Sequence, residues 1–331
     1  MKRMKLLSIS FSLLLILTVP SFAAELKKVS ILIDGDPTVK GGYNYVCVRS
    51  LEYAQKRYPR KISTKVFNSM GLSEEAAARL VESALRSSDM LIATSSSFTK
   101  YLEDRASDFP SVTIVSIDGN GTSKIIEANF RNEELGFLGG ALAALMTKSE
   151  KSGEENGKAK IGLILGAKSE IMDDIKRGYI AGSWYVDKNI TVLSEYVGDY
   201  INEEAAASIA AKMTNEGAEY ILAAAGNAGL GVIKVAEKEN IWVIATDTEQ
   251  ERLFPKVVLT SVLKRTGQVI YGLTEAYVGG KEIKNFSLGV KEECIGLTTW
   301  TRESKDNIPA AVRKQMEDIE EKLEQGLIII K

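Results

Sequence analysis

The sequence predicts an α/β protein built from two doubly wound parallel-sheet lobes that are joined by a multi-strand hinge. Short apolar segments alternate with helix-like segments along residues 28–264. Continuous apolar strands separated by helices are typical of parallel sheets that are covered on both faces. The same alternation occurs before and after residues 129–149 with no low-complexity linker, so we expect two tandem lobes.

In the first half, the strand-like segments end at polar or glycine-containing stretches. The strands are KVSILID, DMLIATS and SVTIVSID. Between the first two lies SEEAAARLVESALRS, where a serine and two acids give the signal of a helix start. Asp34 and Asp118 end the first and third of these strands, where ligands of parallel sheets bind.

In the second half, the alternation repeats with clearer helices. The strands are AKIGLILG, ITVLSEYV, AEYILAAAG, IWVIATD and VVLTSVLK. Helices are expected near residues 171–186, 203–215 and 230–238, and the charged stretch NIPAAVRKQMEDIEEKLEQG is expected to form an amphipathic surface helix. Asp247 and Lys264 end the last two strands.

Between the halves lies an uncharged stretch, residues 135–146, that is crowded with Gly and Ala. It is too short to cross a bilayer. Asn132 is a suitable helix cap, and the acids that follow it suit the positive end of a helix. We therefore expect a buried helix whose small residues allow close approach to a neighbouring element.

Residues 1–23 have the pattern of a secretory signal peptide. A basic start precedes an apolar run, and Ser21-Phe22-Ala23 has the small-x-small form of a cleavage site. The alternative is an uncleaved anchor helix, for which the run is short. We expect secretion across the inner membrane to a periplasmic or other extracytoplasmic location.

The composition argues against several functional classes. The net charge is -2, and no basic cluster indicates a nucleic-acid partner. The chain has no histidine, no clustered cysteines and no metal-binding acid motif, so we expect no metal, no cofactor and no enzymatic activity. Cys47 and Cys294 are either a disulfide of the exported protein or two buried thiols.

Several segments in the same order resemble one known family. ANFRNEELGFLGGALAALMTKS resembles the first interlobe crossing of the basic membrane protein family, and VVLTSVLKRTGQVIY resembles the return crossing. The long segment that begins YVGDYINEE resembles its second-lobe core. These proteins are ABC-transporter substrate-binding receptors of the type I periplasmic-binding-protein fold, and many bind purine nucleosides.

The resemblance implies a division of the chain into a signal peptide and two discontinuous lobes. The first lobe is expected to comprise residues 25–126 and 261–283. The second is expected to comprise residues 127–260 and 284–331. A ligand would then lie in the cleft between the lobes, which close about a hinge.

Aromatic residues and an adjacent amide are expected to hold a base in this cleft. Tyr43 and Asn44 match a Ser-Phe-Asn motif whose aromatic ring stacks on the base in the family. Tyr200 matches a second family aromatic from the other lobe. Stacking of this kind contributes about 1–3 kcal/mol per base. The alternative for Tyr43 is an aromatic that anchors a helix start.

Charged groups at strand ends are expected to bind the sugar. Carboxylates of Asp118 and Asp247 can accept hydrogen bonds from neighbouring hydroxyls, and the resemblance places a ribose-binding aspartate at Asp247. Lys264 falls where the family has a lysine that contacts the sugar or pairs with a cleft carboxylate. The alternative for both aspartates is a helix cap.

Two loops complete the expected site, and one of them departs from the family pattern. Gly226 lies in a glycine-rich turn that allows close backbone approach to a ligand. Ser95 and Phe98 lie in a turn, Ser95-Ser96-Ser97-Phe98, where the family has Gly-x-Gly-Phe.

A second departure lies just before Tyr43. The family has Asn-Asp-Lys there and this chain has Val39-Lys40-Gly41. The acid expected at the base edge is therefore replaced by a lysine or displaced to Asp34 or Asp36.

These features predict a solute-binding receptor that delivers a nucleoside, with purines expected, to the membrane permease of an ABC transporter. One alternative is a receptor for another sugar-like molecule or signal. Another is a carboxylate-dependent nucleoside hydrolase that uses Asp118 and Asp247 as acid and base.

Overall fold

The computed structural model describes residues 25–119, 124–150 and 159–330. The expected signal peptide lies outside the described residues. Within them, no helix is both long enough and apolar enough to cross a membrane.

Twelve strands and ten α-helices make up the described parts of the chain. The strands are β1 (Lys27–Ile33), β2 (Ile62–Asn68), β3 (Met90–Ala93), β4 (Thr113–Ile117), β5 (Ile126–Phe130), β6 (Lys160–Leu165), β7 (Thr191–Tyr196), β8 (Ala218–Ala224), β9 (Trp242–Asp247), β10 (Val258–Lys264), β11 (Phe286–Leu288) and β12 (Ile295–Leu297). The helices are α1 (Tyr43–Arg57), α2 (Glu74–Ser87), α3 (Thr99–Ala106), α4 (Asn132–Glu150), α5 (Glu170–Val186), α6 (Glu203–Asn215), α7 (Gly229–Glu239), α8 (Thr266–Val278), α9 (Arg302–Asn307) and α10 (Ala310–Glu324).

The strands form two sheets of six strands each. The first has the order β11-β5-β4-β3-β1-β2, and the second has the order β12-β10-β9-β8-β6-β7. Every neighbouring pair is parallel except β10 and β12, which are antiparallel. The predicted α/β class with two doubly wound sheets is confirmed.

The chain crosses between the lobes three times. It leaves the first sheet after Phe130, returns to it after Lys264 and leaves it again after Leu288. The expected lobe boundaries lie a few residues before each of these points. The difference arises because β5, β10 and β11 each pair with their sheet for a full short strand before the chain crosses.

Two glycines of α4, the helix of the first crossing, lie against the backbone of α5, and the two glycines of α5 lie against the backbone of α4. A Cβ on Gly140 of α4 would stand 2.0 Å from the carbonyl oxygen of Tyr179, and one on Gly178 of α5 would stand 1.9 Å from that of Glu133. The two helix backbones are therefore in direct contact. This confirms the expectation of a buried helix that approaches a neighbour closely.

Helix α10 confirms the predicted amphipathic surface helix. Val312, Met316, Ile319 and Leu323 are buried along one face. Most residues of its other faces are exposed, and most of them are charged.

Both cysteines are free thiols in the structure. Cys47, on the inner face of α1, is buried in the core, whereas Cys294 is half-buried near the third crossing.

Candidate functional site

The loops at the carboxyl ends of the two sheets touch each other across the cleft. Thr248 of the second lobe donates a hydrogen bond from Oγ1 to the carbonyl of Gly41 in the first. A Cβ on Gly41 would stand 2.9 Å from the Leu253 side chain, and one on Gly42 would stand 3.0 Å from Asn227 Oδ1. Gly41 has φ +78°, which favours glycine. The glycines therefore allow the lobes to meet closely.

Tyr43 is held rigidly beside this contact. It is the first residue of α1, and its hydroxyl donates to the carbonyl oxygen of Thr94 at 2.8 Å. Burial raises the pKa of the Tyr43 hydroxyl well above its usual range, so the hydroxyl remains a donor. Tyr43 lines a cavity together with Gly226 and Asp247, which brings three of the predicted residues together.

Asp247 adopts an unusual backbone conformation at the end of β9. Its φ is +70°, and the amide of Thr248 donates to the carbonyl of Thr246 at 2.8 Å. This three-residue turn with a positive central φ is rare and strained. Burial raises the pKa of the Asp247 carboxyl, while the nearby Lys264 ammonium opposes this effect.

Asp118 and Lys264 form an ion pair, and both side chains are buried. The second carboxylate oxygen of Asp118 accepts from the amide of Phe130 at 2.8 Å and from Asn132 Nδ2 at 3.3 Å. Asn132 Oδ1 accepts from Lys264 Nζ at 2.9 Å. The pair therefore lies at the hinge, where the resemblance allowed either a sugar contact or a carboxylate partner for the lysine.

Asp34, one of the two acids that could substitute for the family's base-edge acid, contacts the hydroxyl-rich turn. Asp34 Oδ2 accepts from Ser97 Oγ at 3.1 Å, and the hydroxyl oxygens of Ser97 and Ser95 are 2.9 Å apart. Asp36 instead binds the amide and hydroxyl of Thr38, and these bonds lower its pKa. Asp34 is therefore bonded to the hydroxyl-rich turn, whereas Asp36 is bonded within its own loop.

Asn44 carries a buried acceptor that has no hydrogen-bond partner among the described residues. Its Oδ1 is that acceptor. Its amide nitrogen would stand only 2.2 Å from a Cβ on Gly35. A buried acceptor without a donor costs free energy, so this position suits a ligand that offers an N–H or O–H group.

Tyr200 and Gly226 lie together on the second lobe. The Tyr200 ring covers Gly166, where a Cβ would stand 2.1 Å from ring atom Cε1. Gly226 has φ +56° and stands against the Cβ of Tyr200. Tyr200 keeps 39% of its surface exposed. Burial of the remainder raises its hydroxyl pKa.

Phe98 was predicted at the site, but it lies in the core of the first lobe. Only 5% of its surface is exposed, and it packs in the first-lobe core with Leu32 and Leu102. It is the last residue of a 3₁₀ turn (Ser96–Phe98), and its ring is buried in the core. The cavity between Tyr43 and Asp247 is also not lined by the predicted residues Asn44, Ser95, Asp118, Tyr200 and Lys264.

The space around these residues is small with the lobes in contact. The cavity between Tyr43 and Asp247 has a volume of about 20 Å³. A separate interlobe groove of about 560 Å³ runs along α1 and α8 and also reaches Asp247 and Lys264. Ligand pockets are typically about 300–1,000 Å³, so a ligand of that size beside Tyr43 requires the lobes to separate first.

Three residues near this site were not predicted as site residues from the sequence. Thr248 and Gln250 follow Asp247 in an irregular loop, and Asn132 was expected only as a helix cap. Proximity to Asp247 was the only available signal for the first two. Among the described residues, no group of acids, cysteines or histidines is arranged to hold a metal ion.

The family profile for PnrA-like ABC transporter substrate-binding proteins matches residues 26–331. Basic membrane protein B of Borrelia garinii subsp. bavariensis is 32% identical over 288 residues, which cover 82% of this chain and 80% of that protein. Basic membrane protein D of Borreliella burgdorferi is 29% identical, with 83% and 79% of the two chains covered.

Solved structures share the fold at low sequence identity. An ABC transporter solute-binding protein from Aeropyrum pernix K1 has a TM-score of 0.81 at 19% identity and covers 92% of this chain and 94% of its own. A transcriptional activator of the comK gene from Bacillus halodurans has a TM-score of 0.70 at 18% identity, with 92% and 100% covered. Transporter receptors and regulators thus share this two-lobed architecture.

Proposed function

Because this chain belongs to the family of PnrA-like ABC transporter substrate-binding proteins, we propose that it binds a purine nucleoside between its lobes. The closed complex then delivers the nucleoside to a membrane permease from an extracytoplasmic location. Tyr43 and Tyr200 contact the base, and Asp247 accepts hydrogen bonds from the sugar hydroxyls. Lobe closure supplies the contacts from both sides.

The observation that carries this proposal is the shared cavity of Tyr43 and Asp247. Tyr43 from the first lobe, which carries an aromatic ring, and Asp247 from the second, which carries a carboxylate, line the same space. Bases stack on aromatic rings, and hydrogen bonds to charged groups contribute about 1.5–3 kcal/mol each. A ligand that has both a planar base and vicinal hydroxyls satisfies both groups at once.

The base-reading side favours a ligand edge with donors. Asn44 Oδ1 is a buried acceptor that has no partner among the described residues. The carboxylate of Asp34 supplies a further acceptor beside the turn that holds Ser97. Purine edges that carry N–H groups satisfy such acceptors.

The environment of Asp118 favours a receptor over a hydrolase. Its two carboxylate oxygens already accept from Lys264, from Asn132 and from the Phe130 amide. A general acid or base must reach the proton that it transfers. A carboxylate engaged in three hydrogen bonds at the hinge is poorly placed for that step.

Thermal unfolding with a panel of small molecules tests the proposal. Inosine, guanosine and adenosine are expected to raise the Tm, because a ligand that binds only the folded state stabilises it. Free purine bases and ribose, each of which satisfies one half of the site, are expected to have a smaller effect. An equal or larger effect of ribose alone would overturn the nucleoside assignment, and release of free base from inosine would indicate an enzyme.

A further inference from the structure

A fully buried carboxylate lies in the loop that follows Asp247. Glu251 has 0% of its surface exposed. Its Oε2 accepts a hydrogen bond from Ser261 Oγ at 2.7 Å, and its Oε1 has no partner among the described residues. Burying a carboxylate in this way costs free energy. A structural role alone would be filled more cheaply by an apolar side chain.

Hydrogen bonds connect this carboxylate to the turn at Asp247. The Ser261 hydroxyl that donates to Glu251 accepts from the amide of Gln250 at 3.0 Å. The Gln250 side chain donates from Nε2 to the carbonyl of Thr246 at 3.1 Å. The carbonyl of Thr246 also accepts a hydrogen bond from the amide of Thr248, which closes the strained turn at Asp247. The hydrogen bonds that start at Glu251 and the turn at Asp247 therefore share one acceptor, the carbonyl of Thr246.

A residue with φ +70° remains in that conformation only where its surroundings fix it. We infer that Glu251 is a positioning residue that, through Ser261 and Gln250, fixes the strained turn and aims the carboxylate of Asp247 into the cleft. The same anchor orients Thr248, whose hydroxyl reaches Gly41 across the cleft. This inference rests on the proposed function for the identity of the ligand, but not for the geometry of the turn.

The substitution Glu251→Met separates positioning from stability. Methionine keeps most of the side-chain volume and removes the hydrogen bond to Ser261. The variant removes the unpartnered Oε1 but leaves the buried Ser261 hydroxyl without its acceptor. These two effects on stability oppose each other, so we expect little change in the Tm. Glu251→Gln retains an oxygen for the Ser261 hydroxyl and serves as the conservative variant. Glu237→Met, an exposed site on α7, is the matched control.

Two measurements on these variants decide the inference. The first is hydrogen exchange of the Thr248 amide in the ligand-free protein, which we expect to be about tenfold faster in Glu251→Met. The second is the Kd for inosine, which we expect to be about tenfold weaker, the size of effect that loss of one hydrogen bond to a charged group produces. Glu251→Gln is expected to restore most of both, and Glu237→Met to change neither.

The outcomes separate this inference from the proposed function. Unchanged Thr248 exchange in Glu251→Met overturns the positioning role. If that variant does not fold, Ser261→Ala, which breaks the same connection, is expected to speed Thr248 exchange, and normal protection there overturns it equally. If inosine fails to bind the wild-type protein, the proposed function is wrong, and the exchange measurement still decides the role of Glu251.

Discussion

Lys264 and Asp118 form a buried ion pair that joins two segments leading into the crossings between the lobes. Asp118 follows β4, and Lys264 ends β10. The Lys264 side chain keeps 8% of its surface exposed and the Asp118 side chain keeps 6%. Asn132, at the start of α4, bonds to both members of the pair. The hinge is therefore electrostatically satisfied before any ligand binds.

Removal of the lysine alone is expected to destabilise the protein strongly. Lys264→Met leaves the Asp118 carboxylate buried without its cation, which costs roughly 3–5 kcal/mol. Asp118 has φ +52°, a conformation that asparagine tolerates, so Lys264→Met combined with Asp118→Asn should recover part of this loss. Urea unfolding of the two variants measures the difference, and an equal or greater loss in the double variant contradicts the account.

The two functions of Tyr43, its ring and its hydroxyl, are expected to separate on substitution. Tyr43→Phe keeps the flat face and loses one hydrogen bond to the Thr94 carbonyl, so the free energy of unfolding falls by about 0.5–1.5 kcal/mol with little change in the Kd for inosine. Tyr43→Ala loses stacking worth about 1–3 kcal/mol. Calorimetric titration checks both, and equal affinities of the Phe and Ala variants would exclude a stacking role.

Nucleoside affinity is expected to depend on pH through Asp247. Burial raises the pKa of this carboxyl above its ordinary value of 3.8. The folded protein therefore holds the proton of Asp247 more tightly than the unfolded chain does. The contribution of Asp247 to stability is complete at pH values below its ordinary pKa and is lost as the pH rises through the raised pKa of the folded protein. Binding has the opposite sign, because sugar hydroxyls donate to the ionised form, and affinity should rise with pH over the same range.

Titration of inosine between about pH 4 and 7 tests this dependence. The chain contains no histidine, so no ordinary imidazole titrates in this range. The variant Asp247→Asn should bind more weakly and lose most of the pH dependence. A slope in Asp247→Asn equal to that of the wild type would assign the dependence to another group.

The contact between α4 and α5 leaves no space for an added methyl group, so we expect a Gly→Ala substitution there to destabilise the protein. Gly140→Ala places a Cβ about 2.0 Å from the Tyr179 carbonyl oxygen, so the helices must separate and stability must fall. The matched control is Gly272→Ala in α8, where the added Cβ meets nothing within 4 Å and alanine should stabilise by up to about 1 kcal/mol. Thermal unfolding measures both, and equal effects would contradict the close helix contact.

Helices with readable ends were predicted well from the sequence. Helix α6 spans Glu203–Asn215 and α5 spans Glu170–Val186, as expected to within one residue. Asn202 and Ser169 cap them with side-chain hydrogen bonds. The sequence pattern predicted both helices, but neither cap was predicted.

Features that depend on tertiary contacts could not be predicted in this way. Phe98 was expected at the cleft, but a 3₁₀ turn of three residues decides which way its ring points, and no periodicity reports that direction. Glu251 is an acid in an irregular loop, where sequence pattern favours exposure. Asp118 and Asn132 meet only because β5 pairs with the end of β4, which places the start of α4 beside the carboxylate.

The most direct test of the central claim is a calorimetric titration of ligand-free protein with inosine, with Asp247→Ala in parallel. We expect saturable binding near one molecule per chain for the wild type. We expect no binding to a folded Asp247→Ala variant. Equal affinity in the two proteins, or no binding of inosine, guanosine or adenosine to the folded wild type, would contradict the claim.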